Sequence, residues 1–240
     1  MGEMETRKSF HHQLDEIRAD IVQLAAMVCE FISRGTDVLL TLDLRAAQLL
    51  IEDDDRIDGL AVDIEERCYQ LLALQQPMAG DLRAIVTAIR LASEIERSGD
   101  LMVNVAKGSR RLYGMEHPPR IRGLIQQMCD EALLLMQLAS DAYLDGDDAK
   151  AAALDDLDDR LDTIHHDYIA ALLEASNQHQ ITVEAAVQLA LVGRYYERIG
   201  DHAVNIGERT RYMVTGWMPE HIGAARVAAE LGSAEDSSPT

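Results

Sequence analysis

The segment Glu96-Arg-Ser-Gly-Asp100 returns late in this 240-residue chain as Glu197-Arg-Ile-Gly-Asp201. A second segment, Asp54-Asp-Arg-Ile-Asp58, precedes the first and returns as Asp158-Asp-Arg-Leu-Asp162, again ahead of its partner. Two matches in the same order indicate an internal duplication. The repeat is roughly 100 residues long, which exceeds the repeats of solenoid proteins and therefore predicts two linked domains.

Apolar residues recur every three or four positions along nearly the whole chain, which is the pattern of amphipathic helices. The pattern predicts helices over residues 10–28, 43–76, 82–112, 120–145, 148–176 and 183–214. Aromatic residues make up only 4% of the chain, and this composition favours helices over strands. We therefore predict an all-α fold of two tandem, pseudo-symmetric three-helix bundles.

The segment Gly114-Met-Glu-His-Pro-Pro119 interrupts the helical pattern between the two repeats. We predict a first three-helix bundle over residues 1–113, a linker over 114–119 and a second bundle over 120–215. Residues 216–240 are predicted to form a C-terminal extension, and its small, polar end is predicted to be disordered.

The balance of charges limits the partners of the chain. It carries 22 Lys and Arg residues against 42 Asp and Glu residues, a formal net charge of −20. Such a chain repels nucleic-acid backbones and anionic lipid head groups, so direct binding to either is not expected. The negative balance favours basic protein surfaces or metal cations instead.

Targeting signals and disulfides are not expected. The first residues contain no apolar signal core, and no apolar run approaches the roughly 20 residues that span a bilayer. The three cysteines, Cys29, Cys68 and Cys129, are far apart in the sequence and form no metal-binding or redox motif. They are read as thiols of a reducing compartment, which predicts a soluble, cytoplasmic protein.

Four acidic pairs are the candidate functional residues. They are Asp54 with Asp58, Glu96 with Asp100, Asp158 with Asp162, and Glu197 with Asp201. The spacing of four residues puts both carboxylates of a pair on one helix face, at a cost of about 0.2–0.5 kcal/mol per pair. Glu96 and Glu197 also lie within otherwise apolar stripes, where an unpaired charge costs several kcal/mol. We predict that the four carboxylates of each repeat bind metal.

Carboxylate oxygens suit magnesium or manganese, and iron or zinc become plausible where several ions share the ligands. The alternative is that the acids form surface salt bridges with Arg56, Arg97, Arg160 and Arg198, which lie beside them in the sequence. Gly99 and Gly200 precede the second acid of their motifs, and each costs a helix about 1 kcal/mol relative to alanine. They permit either close packing or room for a ligand.

Three segments together form a specific set: Leu74-Gln-Gln-Pro-Met-Ala-Gly-Asp-Leu-Arg83, Glu96-Arg-Ser-Gly-Asp100 and Glu197-Arg-Ile-Gly-Asp-His-Ala-Val-Asn205. With the aspartate pairs, they resemble the PhoU family, the accessory regulators of phosphate-specific transport. The resemblance implies two symmetric three-helix bundles and metal clusters at the four acidic pairs. Ser98 and Leu101 stand where the family usually has isoleucine and histidine, so the first site is expected to match the family less closely.

The resemblance also implies a function. It implies a non-enzymatic adaptor between the phosphate importer, through its ATPase subunit, and the sensor histidine kinase of phosphate-responsive genes. Such an adaptor would reach the membrane only through partners and could form a homodimer. Two alternatives stay open: a carboxylate-bridged metalloenzyme and a metal-free structural interaction protein. No glycine-rich phosphate loop, nucleophile elbow or catalytic-triad spacing is found.

Overall fold

The computed structural model describes residues 2–217, with side chains from residue 7 onward. Its α-helices are α1 (Gly2–Thr41), α2 (Leu44–Asp53), α3 (Asp55–Gln75), α4 (Gly80–Ser109), α5 (Pro119–Asp145), α6 (Asp148–Asn177) and α7 (Val183–Thr215), and a 3₁₀ turn, Arg110–Leu112, follows α4. This part of the chain contains no strand, which confirms the all-α prediction. The predicted C-terminal extension lies outside the described residues from position 218 onward.

The helix predicted over residues 43–76 is in fact two helices, α2 and α3, separated by Asp54. Asp54 keeps helical dihedral angles, with φ −59° and ψ −37°, but the regular hydrogen bonding is interrupted there. The break lies within a run of four acidic residues, Glu52-Asp-Asp-Asp55. Aspartate is a weak helix former and neighbouring like charges weaken a helix further. The prediction of one continuous helix was wrong at this point.

Side-chain caps begin three of the helices. The carboxylate of Asp43 accepts hydrogen bonds from the backbone N–H groups two and three residues later, at 2.8 and 3.0 Å. Asp147 does the same in the second repeat, at 2.9 and 3.0 Å, and Thr182 caps α7. These caps satisfy N–H groups that have no partner within the helix. Helix α4 begins without a side-chain cap after Ala79, and Asp81 lies in its first turn.

The helices pack in two sets. The first set consists of α1, α2, α3 and α4, which all contact one another. The second set consists of α5, α6 and α7, which also all contact one another. The sets meet where α4 packs against α7 and α1 packs against α5. Their buried apolar side chains form one continuous core, so the domain limits at residues 113 and 120 stay predictions. No helix in the described residues is both long enough and apolar enough to cross a membrane.

Helices α4 and α7 run antiparallel, because the start of α4 lies beside the end of α7. The Nε atom of Arg83 donates to the backbone oxygen of Met213 at 3.3 Å. A buried contact also joins α7 to α1: the hydroxyls of Tyr196 and Thr36 are 2.6 Å apart. Burial raises the pKa of the Tyr196 phenol, which therefore stays protonated. The two repeats are thus joined by a shared core with polar contacts inside it.

Candidate metal centre

The first candidate site lies at the break between α2 and α3 and on the facing part of α4. Asp54 and Glu96 are half-buried, whereas Asp58 and Asp100 are exposed. Burial, followed by the negative charges of Asp58 and Asp100, raises the pKa of Asp54 to about 6. Burial and the charge of Asp100 also raise the pKa of Asp58 and of Glu96. The structure therefore brings these four carboxylates close enough to repel one another.

Among the side chains that the structure describes, no salt bridge relieves this repulsion in the first repeat. Within the described residues, none of its four carboxylates lies within 4.0 Å of a Lys, Arg or His nitrogen. The Oδ1 atom of Asp54 is buried and has no hydrogen-bond partner. Buried polar atoms are rarely left in this state, since each costs about 1–3 kcal/mol. A cation bound here would give that oxygen a partner.

The second candidate site repeats this arrangement on α6 and α7. Asp158 and Glu197 are half-buried, whereas Asp162 and Asp201 are exposed. Burial, followed by the negative charges of Asp162 and Asp201, raises the pKa of Asp158 to about 6. The Oδ1 atom of Asp158 is also buried without a partner. The same atom is thus unsatisfied at the equivalent position of both repeats.

The two motif glycines, Gly99 and Gly200, differ in how closely a neighbouring side chain lies against them. A Cβ atom at Gly200 would collide with Oδ1 of Asp158 and would lie 2.8 Å from Cδ2 of Leu161. A Cβ atom at Gly99 would lie 3.4 Å from the nearest atoms of Ile57, an ordinary contact that is only slightly tight. Gly200 is therefore the residue that lets the Asp158 carboxylate lie against α7, while Gly99 serves close packing of two helices.

An arginine that sequence analysis did not single out enters the second site. Arg194, one turn before Glu197 on α7, forms an ion pair with that carboxylate, and its Nη2 lies 4.0 Å from Oδ2 of Asp201. The equivalent residue of the first repeat is Ser93. The arginines that the salt-bridge alternative named do not pair with any of the eight acids in the described residues; Arg160, for example, pairs with Glu131 at 2.6 Å. The second site is therefore partly neutralised, unlike the first.

His165 also lies beside the second site. Its Nδ1 is 3.9 Å from Oε2 of Glu197, and its Nε2 is buried without a partner. Burial and the nearby charge of Arg194 lower the pKa of His165. The imidazole is therefore neutral near pH 7, which is the form that binds metals. The sequence signal was its position three residues after Asp162, but the equivalent residue in the first repeat is Ala61.

The donor atoms are suited to a cation but are not preassembled around one. Across the side chains of residues 7–217, no group of three or more His, Cys, Asp and Glu residues is arranged to hold a metal ion as it stands. The unpartnered Oδ1 atoms of Asp54 and Asp158 nevertheless mark the positions where oxygen ligands lack a partner. Both sites offer only hard oxygen donors, apart from His165, and therefore suit divalent cations such as magnesium or manganese.

These features define a class: an internally duplicated, all-α protein with equivalent acidic helix pairs in its two bundles. The family model described as the PhoU domain matches the chain twice, over residues 21–108 and 125–210. The chain belongs to the PhoU family. The double match agrees with the internal duplication, and the family resemblance predicted from the sequence is confirmed.

Named relatives support this membership. The chain is 35% identical over 214 residues to the phosphate-specific transport system accessory protein PhoU homolog 1 of Mycobacterium tuberculosis, a match that covers 89% of this chain and 96% of the relative. It is 36% identical to PhoU homolog 2 of the same species, covering 89% and 100%. The crystal structure of PhoU from Pseudomonas aeruginosa superposes with a TM-score of 0.80 at 27% identity, covering 87% of this chain and 100% of that one. The phosphate transport system regulatory protein PhoU from Streptococcus pneumoniae gives 0.79 at 26% identity, covering 87% and 98%.

Proposed function

We propose that this protein is a non-enzymatic regulator of phosphate uptake and of the genes that respond to phosphate. In this role it acts as an adaptor between the phosphate importer, through its ATPase subunit, and a sensor histidine kinase. The observation that carries the proposal is the match of the PhoU family model to both repeats. The names of the relatives, which describe accessory proteins of phosphate-specific transport, support the coarser part of it.

The proposed adaptor works in the cytoplasm and reaches the membrane through its partners. Its net charge of −20 supports this arrangement. Such a charge is repelled by anionic lipid head groups and attracted by basic patches on partner proteins. Electrostatic attraction of this kind increases the rate of association and selects among partners more than it increases affinity. The same charge opposes direct contact with nucleic acid, so regulation of transcription proceeds through the kinase.

We propose further that the eight carboxylates hold divalent metal ions, four in each repeat. In the first repeat the ligands are Asp54, Asp58, Glu96 and Asp100, and in the second they are Asp158, Asp162, Glu197 and Asp201. A bound cation supplies positive charge that offsets repulsion among the carboxylates. In the first repeat the carboxylates come from the α2–α3 junction, α3 and α4, and in the second from α6 and α7, so each ligand set ties neighbouring helices together.

A deletion strain tests the adaptor role. In phosphate-rich medium we expect loss of the protein to release phosphate-responsive genes from repression and to increase phosphate uptake. Expression of the wild-type chain from a plasmid restores both. Unchanged repression in a deletion strain that holds no second homologue contradicts the proposal. Because transcription and uptake are measured in the same cultures, the experiment also separates a role in uptake from a role in signalling.

Two alternatives have specific observations in their favour. Arg194 supports a metal-free structural role, since its guanidinium pairs with Glu197 where a metal ion would otherwise bind. His165 supports a carboxylate-bridged metalloenzyme, because such enzymes combine carboxylates with histidine. Element analysis of protein purified without chelators distinguishes the metal-free structural role from the two metal-binding functions. Absence of bound metal under any supplied divalent ion, with normal regulation in the cell, favours the metal-free adaptor.

A further inference from the structure

Helices α1 and α5 occupy equivalent positions in the two repeats but differ in length. The buried Ile17 and Ile21 of α1 correspond to the buried Ile121 and Ile125 of α5. In this register α5 begins at the position equivalent to Asp15, whereas α1 begins at Gly2. The first turns of α1 therefore have no counterpart in the second bundle.

In the first bundle, these turns cover the end of the bundle where α4 begins. Phe10 is 5% exposed and belongs to the buried core. His11 and Leu14 line a small cavity of about 140 Å³, together with Ala84 of α4 and Met213 of α7. A helix carrying one aromatic and one aliphatic side chain thus closes this end of the molecule.

The equivalent end of the second bundle is open. Ala185 and Leu112, which correspond to Ala84 and Met213, line a groove of about 860 Å³. The position of Phe10 is taken by Gly114, and a Cβ atom added there would meet no atom within 4 Å. We call this the linker groove; its apolar lining comprises Leu112, Tyr113, Met115, Ile181, Val183 and Val187.

The linker groove exposes large apolar side chains. Tyr113 and Val183 are each 68% exposed, and Val187 is 54% exposed. Val183 and Val187 also line a second apolar depression between α6 and α7, beside Leu173, which is 62% exposed. The apolar surface is therefore continuous from the linker to the α6–α7 seam. Contiguous exposed apolar surface of this kind is typical of interaction sites.

We propose that the linker groove binds a short amphipathic helix of a partner protein, with large apolar anchors on one face and basic residues on the other. The shape of this occupant follows from the first turns of α1, which fill the equivalent space in the first bundle. The groove lining itself carries both Arg111 and Glu184, so the basic outer face of the occupant follows from the net charge of the whole chain, −20, which attracts a positive partner. Apolar anchors at helical spacing are the general means by which helices bind in grooves.

A second copy of this chain is the less suitable occupant. Two copies each carry a net charge of −20 and repel one another. The helix turns that would fit the groove are already packed in the core of their own bundle. The inference rests on the proposed adaptor role only in requiring a protein partner, and none of the groove residues is a candidate metal ligand.

A matched pair of variants tests the groove with a defined probe. The probe is a synthetic helical peptide with Phe and Leu at helical spacing on one face and lysines on the other. Val187→Glu places a carboxylate in the groove, whereas Val62→Glu places one on α3, and both valines are 54% exposed. Because both variants add the same charge, general electrostatic attraction changes equally. We expect Val187→Glu to weaken peptide binding at least tenfold in calorimetry and Val62→Glu to leave it unchanged.

Three outcomes overturn the inference. The first is equal affinity of the two variants for the peptide. The second is equally tight binding of a peptide in which glutamates replace the lysines, which removes the charge argument. The third is a dimer of the wild-type chain in sedimentation analysis that Val187→Glu dissociates, which makes a second copy the occupant. If Val187→Glu fails to fold by circular dichroism, Val183→Glu takes its place. Repression in the deletion strain is a separate measurement, so failure of the adaptor role and failure of the groove are distinguishable.

Discussion

The Nδ1 atom of His202 on α7 lies 2.6 Å from Oε2 of Glu94 on α4, across the contact between the two bundles. The amide of Asn205 donates to the same oxygen at 3.1 Å. Burial alone would raise the pKa of Glu94, but the hydrogen bonds with His202 and Asn205 outweigh it and hold that pKa below its ordinary value. The equivalent pair across the pseudo-symmetric contact, Leu101 and Tyr195, has no such charge.

Replacing this carboxylate weakens the contact between bundles. We expect Glu94→Gln to lower the free energy of unfolding by about 1–2 kcal/mol near neutral pH, because the part-buried hydrogen bonds of His202 and Asn205 then go to a neutral oxygen instead of a charged one. Since the pKa of Glu94 is lowered in the folded state, its stabilising effect is present above the unfolded pKa and is lost as pH falls through the folded pKa. The urea unfolding difference between wild type and Glu94→Gln therefore shrinks on acidification. An equally large effect of Glu66→Gln, at an exposed position, would contradict this explanation.

Burial of Asp54 and Asp158, together with repulsion from the neighbouring acids, predicts a second pH dependence, of opposite sign. The pKa values of Asp54 and Asp158 are raised to about 6, above the unfolded value of about 4. The resulting stability is fully present below pH 4 and is lost as pH rises through 6. In chelator, Asp54→Asn and Asp158→Asn each recover roughly 1 kcal/mol at pH 7, allowing for solvent screening.

Urea unfolding at pH 5 and pH 7 measures this effect, with the exposed Asp167→Asn as control. Supplied manganese or magnesium is expected to raise the melting temperature of the wild type at pH 7 and to act less on the two variants, because ligand binding stabilises the folded state. Identical melting curves with and without these ions, across a range of concentrations, would remove the support for metal binding.

The two motif glycines provide an internal comparison. We expect Gly200→Ala to weaken metal binding at the second site, because the new Cβ displaces the Asp158 carboxylate. Its stability cost is on the order of 1–3 kcal/mol, as for other overpacked positions. Gly99→Ala gains helix propensity of about 1 kcal/mol and meets only a slightly tight contact, so its effect on stability lies between neutral and about 1 kcal/mol stabilising. Calorimetric metal titration and thermal unfolding of both variants test this difference, and equal behaviour of the two would refute it.

His165 predicts that the two sites differ in metal preference. A nitrogen donor favours zinc over magnesium, whereas carboxylates alone favour magnesium. We expect His165→Ala to weaken zinc binding at the second site about tenfold and to leave magnesium binding unchanged. His166→Ala is the matched control, because His166 is the exposed neighbour of His165 on α6. Zinc titrations that do not distinguish these two variants would show that His165 is not a ligand.

The sequence predicted those features that a repeated motif reveals or that depend on residues close together in the chain. The motif at Glu96 and its copy at Glu197 predicted the duplication, and helix caps such as Asp43 follow from interactions within three residues. The break at Asp54 was missed because the apolar period continues across it. Arg194 and the contact of Glu94 with His202 were missed for another reason. A side chain's choice among several neighbouring partners, and the pairing of residues distant in the chain, depend on how helices pack.

Because α1 and α5 differ in length, the two ends of this duplicated molecule are not equivalent. The first turns of α1 cover one end, whereas the linker groove at the other end is exposed. A protein built from two equivalent repeats would otherwise present equivalent surfaces to a binding partner at its two ends. Because the two ends differ, a binding partner can distinguish one end of this protein from the other.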